Sequence, residues 1–398
     1  MTSGPARRVM QALEGERPGS ARFVGGCVRN ALLDMPIADV DIATQLTPDV
    51  VERVMRAAGI AVHPTGVEHG TLTVVADNHP FEVTTLRRDV ETDGRRAVVA
   101  FTEDWAEDAQ RRDFRLNALY ADPDGALHDP TGGGLEDARE RRIVFVGHAE
   151  TRIREDYLRI LRFFRFNAWY GRGAPDPEGL AACGALRAGL ESISVERIWS
   201  ELKKLLGAPD PVPALRAMAA AGVLEQATPE AGDLDGLERL VSLERNEGFV
   251  PDALLRIAAL IGRDAGATKS LTRRLKASNE ERDRLVSAAR DDTPVSVAMA
   301  DRDIRRTLYL SGAAVFRDRV MLDWAAQGGD AKGWRRLLSM TDGWVRPVMP
   351  VGGDDVLAAG VPAGPAVGEA MRRIESAWVD SDFTSTRETL LKLARPGA

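Results

Sequence analysis

Short runs in which apolar and polar residues alternate fill the first third of the chain and then stop. Segments 21–24, 37–43, 70–75, 80–86, 115–120, 126–129 and 142–146 read as short strands, 115–120 equally as helix, with helical stretches between them. From Thr151 onward the apolar period lengthens to about 3.6 residues. Gly/Pro punctuation at 171–177 and 208–213 separates the helices of this second part. The pattern predicts an α+β fold: a compact mixed domain over 21–146, then an all-helical remainder. One later helix start is well marked, because Ser278-Asn279-Glu280-Glu281 fits a capping box ahead of 282–289.

The strands carry the candidate chemistry. In 37–43 a period of two places Asp39 and Asp41 on one face, while Val40 and Ile42 face a core. Two carboxylates pointing the same way make a hard oxygen site for Mg²⁺, of the kind that clamps the attacking and leaving oxygens of an in-line displacement. Upstream, Gly25-Gly26 lets the backbone approach a triphosphate with no Cβ in the way. Arg29, on the helix that follows, supplies positive charge beside it. Singly, the acidic pair reads as a solvated strand edge and the glycines as a turn; in succession they point to phosphoryl chemistry. In Phe81-Glu82-Val83-Thr84, Glu82 lies on the polar face. It completes a carboxylate triad if this strand neighbours the one with Asp39 and Asp41, and is otherwise an exposed strand glutamate.

Residues 88–110 are polar, acidic and weakly patterned, which predicts a mobile loop beside the site. The segment Arg111-Arg112-Asp113-Phe114-Arg115-Leu116-Asn117 then has two readings. Either Asp113 caps a short helix between solvated arginines, or Arg112 touches phosphate while Asp113 and Asn117 bind ribose hydroxyls. Residues 154–166 read as one helix, and 152–173 hold six arginines against two acids. There Asp156 and Arg159 are surface neighbours three residues apart. The row through Arg162 and Arg165 drifts by roughly 60° per step, leaving Arg165 almost opposite Asp156. The plain alternative is an ion pair on a solvated basic stripe.

Composition narrows the class. The chain has 398 residues, is 44% hydrophobic and 28% charged, and has room for two or three globular domains. No apolar run has the length of a membrane span and no signal-peptide core is evident, so a cytoplasmic protein is expected. Cys27 and Cys183 are too few and too distant for a disulfide framework or thiolate metal site. The five histidines all lie at or before position 148, which excludes a His/Asp phosphohydrolase domain in the second half; His63 and His69 flank a turn around Gly66. A net charge of −7 assigns any nucleic-acid contact to local arginine patches.

These segments, in this order, resemble the class II tRNA nucleotidyltransferase and poly(A) polymerase family, which includes bacterial CCA-adding enzymes. The resemblance covers residues 22–206. It rests on Gly-Gly-x-x-Arg with Asp-x-Asp, on Arg-Arg-Asp-Phe-x-x-Asn-Ala, on Asp129-Pro130 with Gly132-Gly133 and Asp137, on Glu-Asp-x-x-Arg-x-x-Arg, and on Ile193-Ser194-x-Glu196-Arg197-Ile198. Asn30 departs from it, since the family usually has Asp after the arginine.

The resemblance implies a polymerase-β-like nucleotidyltransferase palm with a mixed sheet over 1–137. A helical neck over 138–206 and a tRNA-binding body and tail over 207–398 would follow. It implies Asp39 and Asp41 as catalytic metal ligands for Mg²⁺, with Glu82 a candidate third carboxylate. Gly25, Gly26 and Arg29 would bind the triphosphate; Arg112, Asp113 and Asn117 would bind ribose and phosphates. Asp156 and Arg159 would template the base, supported by Arg162 and Arg165. The expected substrates are CTP, ATP and the acceptor arm and 3′ end of tRNA, contacted through Lys203, Lys204, Lys269, Arg273, Arg274 and Lys276. No membrane and no stable protein partner are implied. The rivals are a poly(A) polymerase, expected to carry a basic C-terminal extension, a CC-only enzyme, expected to have a shorter 88–110 segment, and an A-only enzyme. A catalytically silent RNA-binding protein does not need both Asp39 and Asp41.

Overall fold

The computed structural model describes the chain except residues 2, 67–69, 94–95, 291–294 and 395–398, with backbone alone at 65, 89–93 and 96–99. His69 and Gly94 lie outside the described residues. The chain divides into two compact units, 1–229 and 230–398. The sequence-read boundaries at 137 and 206 both fall inside the first.

The first unit is built on a mixed seven-stranded sheet. Its strands are β1 (Ala21–Val24), β2 (Asp41–Thr44), β3 (Ala61–Gly66), β4 (Thr71–Ala76), β5 (His79–Thr85), β8 (Tyr120–Ala121) and β9 (Leu127–His128), in the order β3-β4-β5-β2-β1-β8-β9. The parallel β2–β5 pair sits at its centre, while the neighbouring pairs are antiparallel. A separate hairpin pairs β6 (Arg87–Asp93) with β7 (Arg96–Phe101). Helices α1 (Gly4–Glu16) and α3 (Pro48–Ala57) cover one face of the sheet. There Val9, Leu13, Val51 and Met55 pack with Phe23, Ile42, Phe81 and Val83. Burying each such side chain contributes about 1.5–3 kcal/mol. Strand alternation sends Asp41 and Glu82 to the opposite face.

Three local readings are corrected. The predicted strand 37–43 joins the ladder only at Asp41; Asp39 is exposed in the extended approach to it, although Ile37 and Val40 do pack on the core. Segment 88–110 is not a structureless loop: it holds most of the β6–β7 hairpin and the helix α4 (Trp105–Gln110). Segment 142–146 contributes one bridge, Phe114 to Phe145, rather than a strand. The sequence also gave no sign of β3.

Helical packing begins with α2 (Gly26–Leu32), behind the glycine turn, and α5 (Gly134–Glu140). The predicted single helix through 154–166 is broken. Helix α6 (Ala149–Glu155) ends at Asp156, whose backbone is extended (φ −153°, ψ 104°), and α7 (Leu158–Tyr170) starts afresh. A Cβ on Gly189 would come within 2.0 Å of the Tyr157 ring, so only glycine lets this corner form. Phe114 packs in tilted contact with Phe145 and Phe166, each at 4.9 Å between ring centroids, and fastens α7 to the segment holding Asp113 and Asn117. Beyond α8 (Pro177–Ala185), α9 (Val195–Leu206) packs on α7. Helices α10 (Val212–Ala220) and α11 (Val223–Ala227) complete the unit.

The second unit is helical, from α12 (Leu234–Glu247) through α13 (Ala253–Ile261), α14 (Ala265–Arg274) and α15 (Asn279–Ala289) to further helices ending at Leu391. Ser278 and Glu281 form the expected capping box at the start of α15. Between α13 and α12 Arg256 donates to Glu244 at 2.8 Å, both fully buried. No described helix is long and apolar enough to cross a membrane.

Candidate active site

Asp41 opens β2, and in the parallel register it lies opposite Glu82 of β5. The condition set by the sequence is therefore met: the two carboxylates are cross-strand neighbours on the polar face. Burial pushes the Asp41 carboxyl up; Glu82 and Asp39 push the same way, and Arg112 opposes them. With Arg112 offsetting only part of their charge, the crowded carboxylates still favour a further cation. Among the described residues no three such groups close into a ready metal cage. Glu82→Gln is expected to lower turnover at least about tenfold and raise the Mg²⁺ concentration for half-maximal rate, as loss of a charge-stabilising group does. A Mg²⁺ titration of the variant checks this, and an unchanged curve would return Glu82 to the strand surface.

Gly25 sits at the N-terminus of α2 with φ +70°, and a Cβ there would lie 3.4 Å from Arg112 Nη1. Glycine thus leaves an open backbone approach flanked by a cation. The Arg112 guanidinium is held by Asp108 Oδ2 at 3.0 Å and lies over the Tyr120 ring. Arg111 pairs with the other oxygen of Asp108 at 2.7 Å. These arginines are therefore anchored rather than solvated. Asp108 is 1% exposed. Burial alone would raise its carboxyl, but Arg112, Arg111 and the Tyr120 hydroxyl hold it down at about 2.

A second chain of side chains runs from α2 to α7. Arg29 donates to Asn117 Oδ1 at 2.6 Å, to Asn30 Oδ1 at 2.8 Å and to the Tyr170 hydroxyl at 2.9 Å. Asn117 donates to Asp113 Oδ1 at 3.0 Å, and Asp113 is paired in turn with Arg162. Burial would lift the Asp113 carboxyl; Arg162 and Asn117 bring it to about 2. Arg29 itself is only 7% exposed, and burial depresses its pKa. Its charge is favoured by the Tyr170 ring beneath it and, through Asn117, by the Asp113 carboxylate rather than by a direct ion pair. With Asn30 in place of Asp, the fork below Arg29 fixes its direction without neutralising it.

Asp156 and Arg159, expected to read the base, do not form an ion pair with each other. Asp156 Oδ2 accepts from Arg197 of α9 at 2.6 Å, and Oδ1 accepts from the Leu158 N–H at 3.1 Å. Arg159 pairs with Glu155 and donates to the carbonyls of Arg152 and Arg111, at 2.7 and 3.2 Å. Arg165 is turned onto Glu201 at 2.6 Å and lies over Phe166. The break at Asp156 ended the continuous helix on which the i,i+3 argument stood. Sequence reasoning missed Asp108, Tyr170 and Glu201 altogether, and gave Glu155 and Arg197 no role although both lie in the motifs Glu-Asp-x-x-Arg-x-x-Arg and Ile193-Ser194-x-Glu196-Arg197-Ile198.

A class with a nucleotide-handling head on a helical support is thus defined by fold and site. The Poly A polymerase head domain matches residues 21–144, and a domain described as a probable RNA and SrmB-binding site of polymerase A matches 174–234. The mitochondrial CCA tRNA nucleotidyltransferase 1 of Danio rerio is 35% identical over 93% of this chain and 86% of its own length. The CCA-adding enzyme of Streptococcus sanguinis is 34% identical, over 93% and 92%. The crystal structure of the Bacillus stearothermophilus CCA-adding enzyme in complex with CTP superposes with a TM-score of 0.81 at 30% identity, covering 98% of this chain and 97% of that one. The chain belongs to the CCA-adding tRNA nucleotidyltransferase family.

Proposed function

We propose that this protein adds C, C and A in turn to the 3′ end of tRNA from CTP and ATP, releasing pyrophosphate at each step. The observation that carries the reading is the Asp41–Glu82 register beside an anchored Arg112, joined in one unit to Asp156 and Arg159. Asp39 and Asp41, with Glu82 beside them, would hold Mg²⁺, which when bound would activate the 3′-hydroxyl and neutralise the leaving pyrophosphate. Gly25, Gly26, Arg29 and Arg112 bind the triphosphate; Asp113 and Asn117 set the ribose. Asp156 and Arg159 offer an acceptor and a donor that pair with the exocyclic amine and ring nitrogen shared by cytosine and adenine. Uracil and guanine reverse that pattern and leave buried groups unpaired. Arg162 and Arg165 support the pocket from α7.

Residues 1–137 serve as the head, 138–206 as the neck and 207–398 as body and tail. Lys203 and Lys204 end α9. In the second unit Lys269, Arg273 and Lys276 line one wall of a groove of about 750 Å³ completed by Arg282 and Arg290. These cations suit the phosphates of a tRNA arm, gripped by shape rather than sequence. A cytoplasmic location belongs to the same proposal.

Single-nucleotide addition to tRNA transcripts ending before the first C, after it and after the second tests this reading. CTP should be used on the first two and ATP on the third. ATP use on all three would mark a poly(A) polymerase, and use on only some a CC-only or A-only enzyme. Shortening the β6–β7 hairpin should leave CC addition within about threefold and lower A addition at least about tenfold, since the pocket must be reshaped for a purine. Equal loss at every step would make the hairpin part of general substrate binding.

A further inference from the structure

One buried carboxylate joins the two halves of the candidate site. Asp108 Oδ1 accepts from Arg111 Nη2 at 2.7 Å and Nε at 3.0 Å, and from the Arg87 N–H at 3.3 Å. Its Oδ2 accepts from the Tyr120 hydroxyl at 2.7 Å and from Arg112 Nη2 and Nε at 3.0 and 3.3 Å. Two guanidiniums share one negative charge, so Arg112 keeps positive charge toward the site. Arg112 faces Gly25 and acts electrostatically on Asp41, at the phosphate end. The Arg111 carbonyl accepts from Arg159 Nη2 at 3.2 Å, at the base end, and the preceding Gln110 carbonyl accepts from Arg152 at 2.6 Å. Arg111 Nε also donates to the Arg87 carbonyl at 3.1 Å. Residues 110–112 are thus a strip clamped between Asp108 on one side and the arginines of α6 and α7 on the other.

We propose that Asp108 is a positioning residue that registers both ends of the bound nucleotide: through Arg112 it aims the cation at the phosphates, and through the Arg111 carbonyl it aims Arg159 at the base. This rests on the nucleotide-binding reading above. The two oxygens receive donors from three segments, and with the carboxylate 1% exposed bulk water is not at hand to replace a lost acceptor. An amide there turns an N–H₂ toward a guanidinium or toward Tyr120, and both arginines must shift. Small displacements of groups that orient a substrate cost rate steeply.

The test is steady-state CTP incorporation on a tRNA lacking its last three nucleotides, with UTP misincorporation measured alongside. Asp108→Asn is expected to raise KM for CTP at least about tenfold, with a smaller change in kcat, and to lower the preference for CTP over UTP at least about tenfold. Arg111→Met keeps the Arg112–Asp108 pair but frees the strip at the base end. It should lower the preference for CTP with KM within about twofold. A folded Asp108→Asn protein with parental KM and preference overturns the assignment. So does a fall in kcat alone, which is what a merely structural carboxylate would give. If Asp108→Asn does not fold, parental selectivity in Arg111→Met overturns it instead. A parental chain that incorporates no CTP overturns the proposed function, and this assignment with it.

Discussion

Asp41→Asn is expected to cut CTP incorporation at least about 1,000-fold, equivalent to about 4 kcal/mol of transition-state stabilisation, while the melting temperature stays equal to or above the parent's. The two halves of this expectation have one cause. Asp41 is half-buried opposite Glu82, with its carboxyl raised by burial, Glu82 and Asp39. A carboxylate whose folded pKa lies above its unfolded one costs stability at neutral pH, and that cost fades as pH falls through the folded value. Removing the charge relieves crowding in the fold and removes the ligand that the reaction needs. The core face is untouched, because Ile42 and Val83 point away from the site. Asp39→Asn should act in the same direction on rate. Thermal melts and single-turnover incorporation check both halves, and near-parental turnover in Asp41→Asn would sink the metal assignment.

The second large effect concerns choice of base. Asp156→Ala should lower the preference for CTP over UTP by about 10- to 100-fold, matching the roughly 1–3 kcal/mol cost of leaving a buried polar group unpaired. Asp156 stands at the corner between α6 and α7, one oxygen on Arg197 and one on the Leu158 N–H, each with lone pairs to spare for a base amine. The Arg159 side chain is held by other partners, Glu155 and the carbonyls of Arg152 and Arg111. If the Asp156–Arg197 pair is only a partly exposed structural contact, its loss costs at most about 1 kcal/mol of stability and leaves selectivity alone. Incorporation of all four nucleotides on one tRNA separates the outcomes.

Much of the framework was legible because its periods are strong. Asp41, Phe81 and Val83 and the Ser278 capping box needed only local rules, and the parallel β2–β5 register then supplied the neighbour that Glu82 required. What escaped the sequence was long-range or set by a single steric fact. The corner at Asp156 depends on Gly189 accommodating the Tyr157 ring from more than thirty residues away, and nothing in the arginine-rich run signals it. The β6–β7 hairpin hides in a polar stretch whose pattern is too weak for a strand. Pairings such as Asp108 with Arg111 and Arg112, Asp113 with Arg162, and Arg165 with Glu201 depend on which elements pack together. Charge counts in a sequence cannot choose among them.

The most direct test of the central claim is to supply a tRNA transcript lacking its last three nucleotides with all four nucleoside triphosphates and Mg²⁺, and to sequence the 3′ ends of the products. The proposed pocket predicts ends that grow by C, then C, then A, and stop. Long adenosine tails, or uridine and guanosine admitted as readily as cytidine, would contradict it.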